Sequence, residues 1–279
     1  MKTVNTIGEL KSYLNTQRDC GRSVGFVPTM GALHQGHTEL MRTARQHNDV
    51  VVVSVFVNPT QFNNPNDLRN YPRTLDQDLL KCEQVGVDLV FVPTVQEMYP
   101  EADTRKFDFG HLDKVMEGKH RPGHFNGVAQ VVSKLFDAVN PTRAYFGQKD
   151  FQQLAVVREL AKTLRLDVEI VGCPTVREED GLAMSSRNML LSPEQRKSAP
   201  LISKTLFEAR NKKELFSVKE MISWVIGQIN SDPELNVEYF EIANANTLET
   251  INQWSEAGEA VGCIAVQVGD VRLIDNILF

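Results

Sequence analysis

The sequence has few cysteines, no long apolar run and no excess of positive charge over its 279 residues. Cys20, Cys82, Cys173 and Cys263 are far apart and form no CxxC pair, which argues against a zinc knuckle or a disulfide framework. We expect reduced, buried thiols. The apolar run of residues 50–57 is too short to span a bilayer. The polar amino terminus lacks the apolar core of a secretion signal, so we expect a cytoplasmic protein.

The net charge of −6 argues against proteins that bind nucleic acid or anionic lipid. An acidic chain repels nucleic acid and anionic lipid, so we expect neither a nucleic-acid partner nor a membrane. Apolar residues make up 42% and charged residues 24%, which is ordinary for a globular protein and argues against disorder or a coiled coil. Any nucleotide site in this protein therefore has to be basic locally.

Helices and buried strands alternate through the first part of the chain. Capping-box spacing at Thr6 and Glu9 predicts an opening helix, and a strand at 24–27 precedes a helix that carries Leu40, Met41 and Ala44. The run VVVVSV after Asp49 is typical of a strand buried on both faces of a parallel sheet. The later elements expected are a capping box at 74–77 with a helix ending at Gly86, strands at 89–92, 144–146 and 168–171, and helices at 129–139 and 151–164.

This order predicts an α/β fold with a Rossmann-like, doubly wound parallel sheet over residues 1–174. The pattern changes over residues 175–279. After a polar segment, capping boxes at Ser192 and Ser217 open two helices, and strand-like stretches follow at 237–242, 261–268 and 271–274. We expect a smaller α+β domain with an antiparallel sheet there.

The most informative segment is PTMGALHQGH, where the first strand meets a helix. Gly36 permits close approach of the backbone to a ligand, the helix amino terminus offers N–H groups, and His34 and His37 can donate to phosphate oxygens. The segment therefore predicts phosphate binding rather than a turn with two surface histidines. A P-loop is the rival interpretation, since Gly31, Gly36 and Thr38 have its spacing, but His37 stands where a P-loop requires lysine.

Four further segments are weaker candidates when each is taken alone. Asn58 to Phe62 follows the most buried strand, where an α/β sheet presents its ligand contacts, although an Asn-Pro turn explains it equally well. The basic loop at 119–125 suits a polyanion or an acidic neighbour. Lys149 lies between a strand and a helix and could touch a phosphate, with Asp150 as a helix cap or ribose contact. Residues 184–187, Met-Ser-Ser-Arg, could close over a triphosphate.

Together these segments resemble a known family. An HxGH motif with a distant Met-Ser-Ser-Arg is similar to the paired signatures of the adenylyl-transfer superfamily that includes class I aminoacyl-tRNA synthetases. The strings FVPTMGALHQGH, VSVFVNPTQF, YPRTLDQDL, GVDLVFVPT, RPGHFNGV, GQKDFQQL, TVREEDGLAMSSRN and VRLIDN resemble the pantothenate synthetase family in order and spacing. The likeness covers most of the chain and is densest before residue 190.

The resemblance implies a role for each matching residue. His34 and His37 would contact phosphate, with His37 as proton donor, and Lys149 would join them in catalysis. Gln61, Gln153 and Asn58 would bind or position pantoate, and Gln61 would also lie at the β-alanine position. Asp76 and Gln77 match a stretch associated with Mg²⁺. The implied ATP-binding residues are Met30, Gly31, Ala32, Leu33, His34, Gln35, Gly36, His37, Gly147, Gln148, Lys149, Asp150, Val176, Met184, Ser185, Ser186 and Arg187.

The reaction implied is condensation of pantoate with β-alanine through a pantoyl adenylate, with ATP as substrate, Mg²⁺ as cofactor and residues 175–279 as a lid. The family's homodimers imply a dimer. Gln148 departs from the glutamate that the family commonly has, and its amide keeps the shape and hydrogen-bonding capacity but loses the charge. Two alternatives share the HxGH motif: a nucleotidyltransferase that adenylylates a phosphate ester, and an inactive ATP-binding regulatory protein. Gln61 and Gln153 argue against the first, and intact His34, His37 and Lys149 argue against the second.

Overall fold

A computed structural model describes residues 1–279, and they form two compact units. The first unit comprises Met1–Gln148 and Gln153–Pro174, and the second comprises Lys149–Gln152 and Thr175–Phe279. No helix is both long and apolar enough to cross a membrane.

The first unit is built on a six-stranded sheet in which all the paired strands are parallel. Its strands are β1 (Lys2–Val4), β2 (Val24–Thr29), β3 (Val50–Val55), β4 (Leu89–Phe91), β5 (Arg143–Gly147) and β6 (Glu169–Cys173). Their spatial order is β1-β4-β3-β2-β5-β6, so the chain runs outward from β2 to β4 and then returns to the other side of β2. The predicted doubly wound sheet is confirmed.

Helices connect these strands. They are α1 (Ile7–Asp19), α2 (Gln35–His47), α3 (Pro65–Asn70), α4 (Leu75–Val85), α5 (Val95–Met98), α6 (Met116–His120), α7 (His124–Val139) and α8 (Phe151–Thr163). Successive residues of β3 enter different cores: Val50 and Val52 pack in a cluster with residues of α1, α7 and α8, whereas Val51 and Val53 pack with residues of α2. The β-branched run is therefore buried on both faces of the sheet, as its sequence predicted.

The local predictions for the first unit were mostly correct. The capping box at Thr6 forms, and α4 ends at Gly86, whose φ of 79° is the left-handed geometry that glycine allows. The capping box at Thr74 was wrong, because the Thr74 side chain makes no cap hydrogen bond and its hydroxyl donates instead to Asp78. Strand β1, which pairs with β4, was missed. Cys20 is exposed, contrary to expectation, because it follows the end of the surface helix α1.

The second unit has its own core and an antiparallel sheet. Its elements are α9 (Pro193–Ser198), α10 (Leu201–Asn211), α11 (Val218–Ile229), β7 (Leu235–Asn244), β8 (Ala260–Val268) and β9 (Val271–Leu278), with strand order β7-β8-β9. Both predicted capping boxes form. The box at Ser192 opens a short helix that ends just before Pro200, which has no N–H to continue it, so the unit has three helices rather than two.

Candidate functional site

The carboxyl ends of three neighbouring strands gather most of the first unit's predicted site residues. Strand β2 leads into the HxGH segment, β3 leads into the turn that contains Asn58 and Gln61, and β5 ends at Gly147. These strands are adjacent in the order β3-β2-β5. The direction of winding reverses between β2 and β5, and ligands of open α/β sheets bind in the crevice at such a switch point.

A buried carboxylate holds the turn after β2. Gly31 and Ala32 have φ angles of 80° and 48°, and this left-handed geometry is unfavourable for alanine. Asp78, which is 1% exposed, accepts hydrogen bonds from the backbone N–H groups of Ala32 at 2.9 Å and Leu33 at 2.8 Å. Thr74 donates to the same carboxylate at 3.1 Å. Helix α4 thus determines the path of the HxGH segment through one side chain.

The geometry of the two histidines assigns their protons. His34 is the N-cap of α2, and its Nδ1 accepts from the N–H of Gly36 at 3.1 Å. Nδ1 of His37 accepts from the N–H of His34 at 3.2 Å, and the two ring centroids are 4.1 Å apart. A ring nitrogen that accepts a hydrogen bond cannot carry a proton, so each neutral imidazole is protonated at Nε2. The pair therefore places its two N–H donors at Nε2, at the amino terminus of α2.

The P-loop interpretation gains no support from this geometry. The hydroxyl of Thr38 donates to the carbonyl of Gln35 at 3.0 Å inside the first turn of α2. A P-loop would use that hydroxyl on a metal ion and would place a lysine beside it. The backbone here belongs instead to a helix capped by a histidine.

The turn after β3 presents Gln61 through a network centred on Asn58. Asn58 is 1% exposed, and its Nδ2 donates to Oε1 of Gln61 at 3.2 Å and to the carbonyl of Gly127 at 3.2 Å. Its Oδ1 accepts from the hydroxyl of Tyr99 at 2.8 Å. Nε2 of Gln61 lies 3.1 Å from the sulfur of Met30, in the segment before the histidines. Asn58 is thus a buried support, and Gln61 is the partly exposed amide of this turn.

The basic loop at 119–125 braces the same turn. Nδ1 of His124 lies 2.8 Å from the carbonyl oxygen of Gln61, and Nε2 of His124 lies 3.1 Å from the guanidinium of Arg121. Arg121 also pairs with the buried carboxylate of Glu117 at 3.3 Å. A Cβ on Gly127 would lie 2.3 Å from the carbonyl oxygen of Thr60, so only glycine permits α7 to approach the turn this closely. An acidic neighbour, one of the two partners expected for this loop, is therefore present.

Gln153 has an uncommitted amide. It lies in the first turn of α8, is partly exposed, and makes no side-chain hydrogen bond in the structure. Gln61, by contrast, is held by Asn58 and Met30. Since a buried or half-buried amide normally finds a partner, the amide of Gln153 is suited to a ligand.

The second unit contains Lys149 and the polar segment from Val176 to Arg187. Nζ of Lys149 lies 3.7 Å from Oδ1 of Asp150, and the lysine side chain is 17% exposed. Val176 and Met184 are brought together, because the N–H of Met184 donates to the carbonyl of Val176 at 3.0 Å. Ser185 caps the 3-10 turn that follows by accepting from the N–H of Arg187, and Ser186 is buried.

The remaining predicted residues are placed as follows. Gly147 and Gln148 are partly buried, Gln35 is exposed in the first turn of α2, and Gly36 is partly buried. Asp76 and Gln77 are exposed in the first turn of α4. No group of three or more His, Cys, Asp or Glu side chains could hold a metal ion. Asp76 and Gln77 offer one carboxylate and one amide oxygen, so an Mg²⁺ ion held there would take its other ligands from substrate or water.

A cavity of about 600 Å³ lies elsewhere in the first unit. It is lined by the carboxyl end of α7, which leads into the amino end of β5, so it lies at the opposite edge of the sheet from the histidines. Its basic residues already have partners: Lys11 pairs with Asp137, Arg18 donates to the carbonyl of Asn140, and Arg105 pairs with Asp103. This cavity is not the predicted site.

Sequence reasoning missed the residues that support the site from a distance. Asp78, His124 and Tyr99 contact site residues through buried or partly buried hydrogen bonds, and none of them was singled out for that role. A signal existed for Asp78, which lies inside the string YPRTLDQDL that carried the resemblance. Its position one turn into a helix does not tell which backbone it contacts.

Comparison with known proteins gives a consistent result over the whole chain. A family model described as pantoate-beta-alanine ligase matches residues 2–278. The pantothenate synthetase of Phocaeicola vulgatus is 57% identical over 280 aligned residues, covering 100% of this chain and 99% of that protein. The crystal structure of pantothenate synthetase from Thermus thermophilus is 47% identical, has a TM-score of 0.93 and covers 99% of both chains. Pantoate-beta-alanine ligase from Francisella tularensis, solved with beta-gamma ATP and beta-alanine, is 35% identical with a TM-score of 0.85, covering 100% of this chain and 97% of that one.

Proposed function

Because this chain belongs to the pantoate-beta-alanine ligase family, we propose that the residues gathered at its strand ends carry out that ligation. The protein uses ATP to join pantoate to β-alanine through a pantoyl adenylate and releases AMP and pyrophosphate. The observation that carries the assignment of residues is the histidine pair, in which both Nδ1 atoms accept backbone hydrogen bonds. That arrangement puts the N–H donor of each ring at Nε2, beside a helix amino terminus that favours phosphate.

In the first half-reaction, a carboxylate oxygen of pantoate forms a bond to the α-phosphorus of ATP while the bond to pyrophosphate breaks. Negative charge accumulates on the phosphate oxygens, and preorganised donors stabilise it. We assign the Nε2–H groups of His34 and His37 and the ammonium of Lys149 to this role. The Nε2–H of His37 would donate a hydrogen bond to the departing pyrophosphate. The ATP-binding segments at 30–37, 147–150, 176 and 184–187 are part of the same proposal.

Pantoate recognition is assigned to two amides. Gln153 would read pantoate with its uncommitted side chain, and Gln61 would read it from the turn after β3. Asn58 acts through Gln61, because its own polar atoms are already hydrogen-bonded and it is 1% exposed. A site that hydrogen-bonds a substrate hydroxyl discriminates strongly against an analogue that lacks it.

In the second half-reaction the amine of β-alanine attacks the acyl carbon, the new C–N bond forms and AMP leaves. Gln61 would lie beside the amine. Water has to be kept from the adenylate, and we assign that role to residues 175–279 as a lid, with Ser185, Ser186 and Arg187 as its triphosphate contacts.

We propose that Mg²⁺ is the counter-ion of the ATP phosphates. Mg²⁺ commonly binds through substrate phosphates and water with one or two protein carboxylates. Asp76, an exposed carboxylate in the first turn of α4, is suited to such a contact, with Gln77 beside it. The metal would neutralise phosphate charge.

The test is pantoate-dependent exchange of labelled pyrophosphate into ATP. Exchange is expected with pantoate and Mg²⁺ and without β-alanine, because the two half-reactions are chemically separable. Exchange that requires β-alanine would contradict the adenylate, and exchange driven by a phosphate ester would favour the nucleotidyltransferase. His37→Ala and Lys149→Ala should each lower kcat by about a hundredfold or more with little change in Tm. A normal kcat with a large fall in Tm would assign these residues to structure.

We also propose that the protein acts as a cytoplasmic homodimer. The likeness to a family of homodimers supports the dimer, and the absence of a CxxC pair or disulfide framework in the sequence supports the compartment. Light scattering coupled to size-exclusion chromatography tests the mass in solution, and a monomer at assay concentrations would contradict the dimer.

A further inference from the structure

Two buried polar residues in the last strand of the second unit have no role in the function described so far. Asp275 and Asn276 are 4% and 8% exposed, although their neighbours Leu273 and Ile277 belong to the apolar core of that unit. Buried charges and amides cost free energy unless they are hydrogen-bonded, and here the partners are specific.

Asp275 holds the base of the segment from Val176 to Met184. Its two carboxylate oxygens accept from the guanidinium of Arg177 at 2.7 and 3.0 Å, which is a bidentate pair. Arg177 also donates to the carbonyl of Gly181 at 3.1 Å, and residues 177 and 183 form an isolated antiparallel bridge. The ion pair therefore closes the turn that brings Val176 and Met184 together.

Asn276 holds the other nucleotide segment of this unit. Its Nδ2 donates to the backbone carbonyl of Lys149 at 2.9 Å. Lys149 lies in the 3-10 turn Gln148–Asp150 between β5 and α8, and Asn276 thus ties this turn to the last strand of the second unit. The N–H of Asn276 also donates to Oδ1 of Asp275 at 2.8 Å, so the two anchors are coupled to each other.

We propose that Asp275 and Asn276 are positioning residues that hold Lys149 and the segment from Val176 to Arg187 in one fixed arrangement for adenylation. This inference rests on the proposed function of Lys149. Neither residue contacts substrate in this proposal. Asn276 acts on kcat through the lysine backbone, and Asp275 acts on ATP binding through Arg177.

The experiment compares Asn276→Ala with Ile277→Val, a core variant in the next position of the same strand. Asn276→Ala should lower kcat for pyrophosphate exchange by about tenfold or more, because a small displacement of a catalytic group is costly. Its KM for pantoate should stay within about twofold of the wild-type value, because Asn276 does not take part in binding pantoate. Ile277→Val should retain normal kcat. A normal kcat in Asn276→Ala overturns the inference.

A double-mutant cycle tests whether the effect passes through Lys149. On a Lys149→Ala background, Asn276→Ala should cost much less than it does alone, because the group that it positions is gone. Full additivity of the two kcat effects overturns the inference, since it would mean that Asn276 acts elsewhere.

Asp275→Asn tests the role of Asp275 separately, because it keeps the side-chain shape and removes the charge. It should raise KM for ATP by about threefold or more and leave KM for pantoate unchanged. Unchanged KM for ATP overturns the role given to Asp275. Failure of the proposed function has different signatures, because wild-type protein would then show no pantoate-dependent exchange, or Lys149→Ala would retain full kcat.

Discussion

Replacing Asp78 by Asn tests whether one buried carboxylate positions the histidine pair. The carboxylate accepts two backbone N–H groups at 2.9 and 2.8 Å, and an amide can accept from only one of them, because its NH₂ would face the other donor. Losing one hydrogen bond to a charged group and leaving a buried N–H unpaired costs about 2 to 4 kcal/mol. For a chain of this size, that corresponds to a fall in Tm of about 5 to 12 °C.

The same substitution should reduce catalysis. Ala32 has a φ of 48°, a geometry that costs about 1 kcal/mol and persists only while it is held. Once released, the segment carries His34 and His37 away from their positions. We expect kcat for pantoate-dependent pyrophosphate exchange to fall by about tenfold or more.

The measurements are the melting temperature and kcat at saturating ATP and pantoate. Glu83→Gln is the matched control, since it removes one negative charge from the same helix at an exposed position. Surface changes of this kind alter stability by about 0.5 kcal/mol or less. If Asp78→Asn matched that control in both Tm and kcat, the role given to this carboxylate would be refuted.

Three further predictions concern glycines, thiols and selectivity. Gly127→Ala should destabilise the protein by about 1 to 3 kcal/mol, because the added Cβ would clash with the turn after β3. Gly227→Ala in α11 should instead stabilise it by up to about 1 kcal/mol, because a Cβ added there would meet no neighbouring group within 4 Å. Equal shifts in Tm would contradict the clash. Thiol titration of the native protein at pH 8 should label Cys20 and spare Cys82, because burial raises the pKa of Cys82 to about 12. Rapid labelling of Cys82 would disagree with its burial. Gln153→Ala should lower the ratio of kcat/KM for pantoate to kcat/KM for its deoxy analogue. An unchanged ratio would show that this glutamine does not recognise the hydroxyl.

The elements with strong local signals were predictable. The burial of β3 on both faces follows from an unbroken β-branched run, and three of the four predicted capping boxes form because the donor and acceptor are three residues apart. The fourth, at Thr74, fails because Asp78 competes for its hydroxyl. That competition involves a carboxylate already committed to the segment after β2, which local spacing cannot reveal.

Local chemistry also sufficed to mark the HxGH segment, Gln61 and Lys149 as candidates, because each closely follows a strand. Gln153 was a candidate only through the family resemblance. The tautomers of His34 and His37 required coordinates, since they depend on which backbone N–H each ring accepts. The distinction between the buried Asn58 and the partly exposed Gln61 also required them, because burial cannot be read from the local sequence.

The tertiary structure alone decided which distant residues support the site. Asp78 bonds to Ala32 across 46 positions, His124 contacts Gln61 across 63, and Asn276 contacts Lys149 across 127. Periodicity, caps and turn residues act over a few positions and are encoded where they are used. A contact across many positions depends on how the strands are ordered and how the helices pack on them, and the same short string could meet many partners. These partners are determined by the strand order β1-β4-β3-β2-β5-β6 and by the position of β9 beside Lys149.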